Sequence, residues 1–491
     1  MSIKTRFAPS PTGFVHIGGL RTALFNYLYA RKNGGKFLLR IEDTDRTRFV
    51  DGATASLINA LKWAGLEIDE GADISEGKLV SKGEKGPYIQ SERLDIYQKY
   101  IKILLDKGCA YPCFCSRERL DELRETQRQK GIDPMYDGHC KNMSKEEVQK
   151  RIEAGEEYVI RLNVPKNQDI TFNDGVRGKV TINSDTVDDQ VLIKSDGFPT
   201  YHFAVVVDDH LMGVTHVIRG EEWLTSTPKH ILLYDMLGFE KPEFAHLPNI
   251  LNSDHKKLSK RQGDVSVDDF KNKGYLPEGL INYIALLGWS PENNQEIFTM
   301  KELEEQFDLN RVSSSGGIFD KDKLNWINAQ HIKTYDSEKL VELAMPFILS
   351  ENIMNEKETV TNRAFLVLAM DALKERLEYL AQFPEMIKPF LQDEFETEEE
   401  AKDFIKKEHM PKLFSILKGE IEKRDKITEN DAEEIFKLLK SEGIKGKNLF
   451  MGVRVLITGN MHGPDIPKIM QLLGRDRILK RLEMSKAYLA V

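Results

Sequence analysis

TRFAPSPTGFVHIGGLRTALFNYLYARKNGGKFLLRIEDTDR, residues 5–46, reads as strand, tight loop, helix and strand. Arg6 to Ala8 begin an extended segment. Pro9, Pro11 and Gly13 break it, because proline fixes φ and glycine admits positive φ. From Ile17 the apolar residues Leu20, Ala23, Leu24, Tyr27 and Leu28 recur at helical spacing, and Asn33-Gly34-Gly35 predicts the helix end. Phe37 to Ile41 predict a buried strand that runs out into Glu42-Asp43-Thr44-Asp45-Arg46. The unit is βαβ. His16, Gly18 and Gly19 fall at the helix start, where unpaired N–H groups and the helix dipole favour anions. The carboxylates after the second strand share the sheet edge at which open α/β sheets bind ligands. The glycines do not follow G-x-G-x-x-G, so nothing here argues for a nicotinamide cofactor.

The chain has 491 residues, too many for one core. It is 40% hydrophobic and 30% charged, the composition of a soluble globular protein, and its net charge of −9 does not advertise a nucleic-acid binder. No apolar leader starts the chain and no run is long enough to span a bilayer, so the expectation is a cytoplasmic protein without membrane contact. Its four cysteines do not make a disulfide framework.

After the βαβ unit, residues 51–66 predict an amphipathic helix, 69–87 an exposed loop and 90–105 a helix. Cys113, Cys115 and Cys140 could offer three thiolates to zinc, with His139 as the nearest fourth ligand; the adjacency of His139 and Cys140 makes joint ligation awkward. Residues 159–162, 170–172, 176–182 and 190–194 predict strands of an α+β insertion. Phe203 to Val207 predict a further strand with Asp208, Asp209 and His210 just past its end, then a strand at 217–219 and a helix opening at Gly220. From Tyr275 onward the pattern is helical, with Thr428 and Asp431 spaced for a capping box. Basic residues such as Arg454, Lys480 and Arg481 are spread through this third and predict mostly a solvated face.

Lys256-Lys257-Leu258-Ser259-Lys260-Arg261 is a second candidate loop, whose lysines could clamp a polyphosphate as point charges. Neither loop is specific alone. Together they describe one end of an open sheet with an imidazole and a helix N-terminus, faced by a lysine clamp. That is a site for nucleophilic attack on a nucleotide α-phosphate.

His16-Ile17-Gly18-Gly19 resembles the H-I-G-H signature of class I aminoacyl-tRNA synthetases, and Lys257-Leu258-Ser259-Lys260-Arg261 their K-M-S-K-S loop. Residues 6–13, 40–46, 90–94, 201–209 and 219–223 narrow the resemblance to the glutamyl-tRNA synthetase family. The resemblance implies a Rossmann-type nucleotide-binding catalytic domain (1–109 and 196–250). An α+β acceptor-end insertion (110–195), a stem-contact region (251–330) and an all-helical anticodon-binding region (331–491) complete it. It implies ATP, supplied with Mg²⁺, L-glutamate and tRNA-Glu as partners of a monomer. It places His16, Lys257 and Lys260 in catalysis, and these three with Gly18, Gly19, Glu222, Trp223 and Leu258 on ATP. Arg6, Ala8, Ser10, Glu42, Tyr201 and Arg219 would hold glutamate, the arginines gripping its side-chain carboxylate bidentately, and Arg376 would touch tRNA. Position 19 departs from the signature, residues 74–86 form a longer segment than usual, and Asn142 stands where some relatives place a zinc-binding histidine, so zinc is not predicted. The nearest alternatives are a glutaminyl-tRNA synthetase, whose C-terminal region would be β-barrels, and a non-discriminating enzyme that also charges tRNA-Gln. A truncated tRNA-modifying relative or a small nucleotidyltransferase would lack the helical third, and a non-catalytic RNA-binding paralogue would not need both loops intact.

Overall fold

The computed structural model describes residues 2–45, 50–258 and 265–489. Arg46 and the Ser259–Asp264 part of the lysine loop, Lys260 included, lie outside them. The chain divides into two compact units, Met1–Lys271 with Leu280–Leu324 and Asn272–Gly279 with Asn325–Val491.

The first unit is built on a sheet of β1 (Lys4–Phe7), β2 (Lys36–Leu39), β3 (Glu70–Ser75) and β4 (Lys78–Lys82). A small second sheet uses β5 (Ala110–Cys113), β6 (Val159–Leu162) and β9 (Val191–Ile193). The remaining strands are β7 (Asp169–Asp174), β8 (Gly178–Asn183), β10 (His216–Gly220) and β11 (Glu243–Leu247). The main sheet runs β4-β3-β2-β1-β10-β11-β7-β8, parallel from β3 to β7 with an antiparallel partner on each edge. The chain leaves β1 for β2 on one side and returns to β10 on the other, so a topological switch point lies between β1 and β10. Ligands of open α/β sheets bind past the strand ends there. The helix between β1 and β2 spans Ile17–Lys32, its apolar face buried through Leu20, Leu24 and Leu28.

Three expectations fail in this unit. Residues 70–82 are a hairpin, not a loop: Glu76 (φ 51°) and Gly77 (φ 74°) supply the two left-handed positions of a tight turn. Its outer strand β4 is exposed throughout and charged at Lys78 and Lys82, so no alternation of apolar residues announces it. Residues 203–207 are helical, within Tyr201–Met212. A five-residue apolar run suits a buried helix as well as a strand, and here every one of the five is buried. Finally, the segment 110–195 is not wholly a separate insertion, since β7 and β8 come from within it and extend the main sheet beside β11.

The second unit is helical. Helices Ser337–Ser350, Arg363–Leu373, Met410–Glu422, Glu429–Ser441, Lys447–Thr458 and Ile466–Lys486 contribute Leu340, Leu366, Leu417, Ile435, Leu456 and Leu482 to one core. The predicted capping box holds: Thr428 Oγ1 accepts from Asp431 N (3.2 Å) and Asp431 Oδ2 accepts from Thr428 N (2.9 Å). Arg481 does not lie on a solvated face. It is 1% exposed and donates to the carbonyls of Ile457, Gln392 and Pro389, which ties the C-terminal ends of two helices, Phe383–Leu391 and Lys447–Thr458, to its own helix.

Candidate active site

A cavity of about 1150 Å³ opens at the switch point. Arg6, Phe7, Ala8 and Ser10 reach it from the end of β1 and the turn beyond, Glu42 from beyond β2, and Arg219, Glu222 and Trp223 from the end of β10. His16, Gly18, Gly19, Tyr201, Lys257 and Leu258 complete the predicted set. Thus every sequence-predicted catalytic, ATP or glutamate residue inside the described range lines one cavity.

His16 is the N-cap of the Ile17–Lys32 helix, and its Nδ1 accepts from Gly18 N at 3.1 Å. The ring proton therefore sits on Nε2. Ideal Cβ atoms at Gly18 and Gly19 would meet protein atoms only at ordinary contact distances, 3.5 and 3.8 Å. Neither glycine is demanded by packing, and both face the cavity. The two loops are joined by backbone hydrogen bonds. Ile17 N donates to Val265 O and Val267 N to Val15 O, both at 2.9 Å, while Leu258 N donates to Ile250 O at 2.9 Å. Both ends of the lysine loop are therefore anchored at this cavity.

Beneath it lies a buried ion cluster. Arg40 spans Glu42 (2.9 Å) and Asp209 (2.7 Å), Arg6 reaches Asp209 (3.4 Å), and Arg93 reaches Asp208 (2.7 Å). Asp208 also accepts from Tyr97 (2.8 Å) and Gln90 (2.9 Å). The aspartates expected past a strand end are thus buried helix residues that hold the arginines. Burial pushes the Glu42 carboxyl up, against the pull of Arg40 and Arg6.

Arg219 is 4% exposed. Its Nε donates to His246 Nε2 (3.1 Å), one Nη1–H to the Tyr201 hydroxyl (3.1 Å), and Nη2 to Thr227 Oγ1 (2.9 Å) and His230 Nδ1 (3.2 Å). The Tyr201 ring packs on Trp223 with centroids 4.1 Å apart. Sequence reading missed Arg21, which also lines the cavity. It donates to the carbonyls of Leu287 (3.0 Å) and Pro248, and burial lowers its pKa to about 10. Its signal was a cation placed one residue after Leu20 on a face that is otherwise apolar.

The three thiols of Cys113, Cys115 and Cys140 lie within 4.8 Å of one another, away from the residues that line the cavity. The Tyr136 hydroxyl is 3.3 Å from Cys113 Sγ and 3.4 Å from Cys115 Sγ, whereas His139 is exposed and outside the cluster. The Cys113 thiol is lowered to about 4 by its hydrogen bond with Cys140, whose own pKa rises in turn. Three thiols and a phenol are donors that fit a soft divalent ion. An asparagine at position 142 therefore does not by itself empty the site. An ion there would tie residues 113–115 to 136–140 and do no chemistry on a cavity ligand.

The residues 2–326 match the family described as tRNA synthetases class I (E and Q), catalytic domain, and residues 339–485 match an anticodon binding domain. A glutamate–tRNA ligase of Clostridioides difficile (strain 630) is 56% identical over 489 residues, 99% of each chain. The chain belongs to the glutamate–tRNA ligase family. The relative from Alkaliphilus metalliredigens (strain QYMF), named likewise, is 54% identical over 99% of each chain. Among solved structures, a glutamate tRNA ligase from Elizabethkingia meningosepticum CCUG26117, crystallised in complex with its amino acid, superposes with a TM-score of 0.87 at 36% identity over 99% of both chains. In this family member Arg376 sits exposed on a short turn of the second unit, Lys374–Arg376. Its charge, after burial, lowers the pKa of the half-buried Arg454, so two like charges stand together there. Arg454, expected from the sequence on a solvated face, is thus half-buried instead. No described helix is long and apolar enough to cross a membrane.

Proposed function

We propose that the chain attaches L-glutamate to tRNA-Glu in two steps at the cavity between β1 and β10. The α-carboxylate of glutamate attacks the α-phosphorus of ATP, supplied as its Mg²⁺ complex. Glutamyl adenylate forms and pyrophosphate leaves. The 2′-hydroxyl of the terminal tRNA adenosine then attacks the adenylate carbonyl, loses its proton, and releases AMP as the ester forms.

The observation that carries this reading is the hydrogen bonding of both ends of the lysine loop into the His16 cavity. His16 Nε2–H, Lys257 and Lys260 would face the triphosphate and offset the charge that builds as pyrophosphate leaves. Gly18 and Gly19 admit the phosphates against the helix N-terminus. Glu222, Trp223 and Leu258 would line the nucleotide. Glu42 would hold the substrate ammonium, while Arg6, Arg219 and Tyr201 take its carboxylate, with Ala8 and Ser10 alongside. Glutamine would leave the buried guanidinium unpaired. In this reading residues 110–195 receive the acceptor end, 251–330 the stem, and 331–491, through Arg376, the anticodon. The enzyme would work in the cytoplasm as a single chain without a membrane partner.

His16→Ala and Lys257→Ala are each expected to slow ATP–pyrophosphate exchange at least ~10²-fold with the fold intact. Near-normal exchange in either removes that residue from the reaction. Aminoacylation of purified tRNA-Glu and tRNA-Gln with each amino acid completes the test. Glutamate on tRNA-Glu is expected, and a preference for glutamine as substrate would overturn the assignment. Glutamate on both tRNAs would identify a non-discriminating enzyme.

A further inference from the structure

Behind Arg219 lies a set of buried groups that the proposed reaction does not use. Their role rests on the proposed function, in which Arg219 receives the carboxylate of glutamate. Buried arginines are ordinarily neutralised by carboxylates. Arg6, Arg40 and Arg93 follow that rule through Asp208, Asp209 and Glu42. Arg219 does not. Among the described residues its side-chain partners are the imidazoles of His246 and His230 and the hydroxyls of Thr227 and Tyr201.

Donor counting fixes the tautomers. Arg219 Nε has only a hydrogen to give, so His246 Nε2 must present its lone pair and carry its proton on Nδ1. That proton is donated to Asp174 Oδ2, which lies 2.5 Å from Nδ1. Asp174 is itself fixed by the N–H groups of Val176 (3.0 Å), Arg177 (2.9 Å) and His246 (3.2 Å). On the other side, His230 Nδ1 accepts from Arg219, and His230 Nε2 lies 3.0 Å from His202 Nδ1. Burial and, next, the charge of Arg219 or its neighbours hold His230 and His202 below their ordinary range. Burial likewise outweighs Asp174 at His246.

We infer that His246 and His230 are positioning residues that fix Arg219 with uncharged acceptors, so that its full charge is kept for an incoming carboxylate, with Asp174 setting the His246 tautomer. A carboxylate in either place would neutralise the guanidinium before substrate arrives and reduce the penalty against an amide. The bonds to His246, Tyr201, Thr227 and His230 engage Nε–H, one Nη1–H and both Nη2–H groups. A bidentate grip by Arg219 alone is therefore replaced by the remaining Nη1–H together with the Tyr201 O–H, whose oxygen already accepts from Arg219.

The test compares His246→Glu with His246→Gln in ATP–pyrophosphate exchange. The glutamate variant is expected to raise KM for glutamate at least ~10-fold, leave KM for ATP within ~2-fold, and narrow the preference for glutamate over glutamine. The glutamine variant, a neutral acceptor, is expected to stay within ~3-fold of the parent for glutamate. Equal rises in both, or none in His246→Glu, overturn the inference. Arg219→Gln run in parallel separates the two claims: an unchanged KM for glutamate there would overturn the carboxylate reading itself. Selective ¹⁵N-histidine NMR of the unmodified protein at pH 7 needs no variant to fold. It is expected to show Nδ1–H for His246 and Nε2–H for His230, and an imidazolium at either position overturns the inference.

Discussion

Arg40 has no exposed surface, and its guanidinium is shared between Glu42 and Asp209. Removing one partner of a buried ion pair leaves the others uncompensated, which costs about 3–5 kcal/mol. Arg40→Met is therefore expected to lower the unfolding free energy of the first unit, read by urea titration, by that order. It should also weaken glutamate binding, because Glu42, already pushed up by burial, loses the cation that best keeps it ionised. A variant as stable as the parent would show that the cluster is spectator packing. Single residues of this cluster were hard to read from sequence. Asp208 and Asp209 look like solvated polar groups until Arg6 on β1, Arg40 just past β2 and Arg93 are seen to converge on them. His16 and Lys257 were legible because their chemistry is carried by short loops whose residue types have few other uses.

At the level of elements, glycine at position 71 decides where the β3–β4 hairpin attaches. Its φ is +133°, and a Cβ would sit 2.1 Å from Leu39 O. The neighbour is backbone of the adjacent strand and cannot step aside. Gly71→Ala is expected to destabilise the first unit by about 3 kcal/mol and to speed amide exchange at residues 70–82. Exchange unchanged from the parent would mean that the hairpin does not depend on this contact. The hairpin escaped sequence reading because an exposed edge strand needs neither alternation nor apolar residues. The helix Ile17–Lys32 was legible for the opposite reason: glycine, proline and asparagine punctuate both ends, and its buried face repeats at helical spacing. The helix Tyr201–Met212 was not, since the unbroken burial of residues 203–209 erases that repeat.

For the whole molecule, acid sensitivity originates in the buried histidines. His202 is lowered to about 4 by burial, then by the charges of Lys229 and Arg219, and His230 and His246 move the same way. Between about 6.5, the ordinary value, and about 4 the unfolded chain binds protons that the folded chain refuses. Stability is thus complete above that window and falls as pH drops through it. His202 alone accounts for a loss on the order of 2 kcal/mol at pH 5. Glu42, raised in the folded state, works in the opposite direction. Unfolding free energies from urea titrations at pH 7.5 and 5 are expected to differ by at least the His202 share, and His202→Asn should flatten the slope. Equal free energies would show that these rings are not held neutral.

The path of the chain carries one more consequence. Asn272–Gly279 belongs to the helical unit although Leu280–Leu324 returns to the first. Leu276 shares a core with Leu340 and Leu373, its N–H donates to Asn328 Oδ1 (2.9 Å), and the Gly274 carbonyl accepts from Leu380 N (3.0 Å). A gene cut once at codon 324 would leave those eight residues stranded without the groups that complete them. Recombination could exchange the anticodon-binding third for another only by splicing at three joints simultaneously, which makes the pair hard to shuffle and bound to be inherited together.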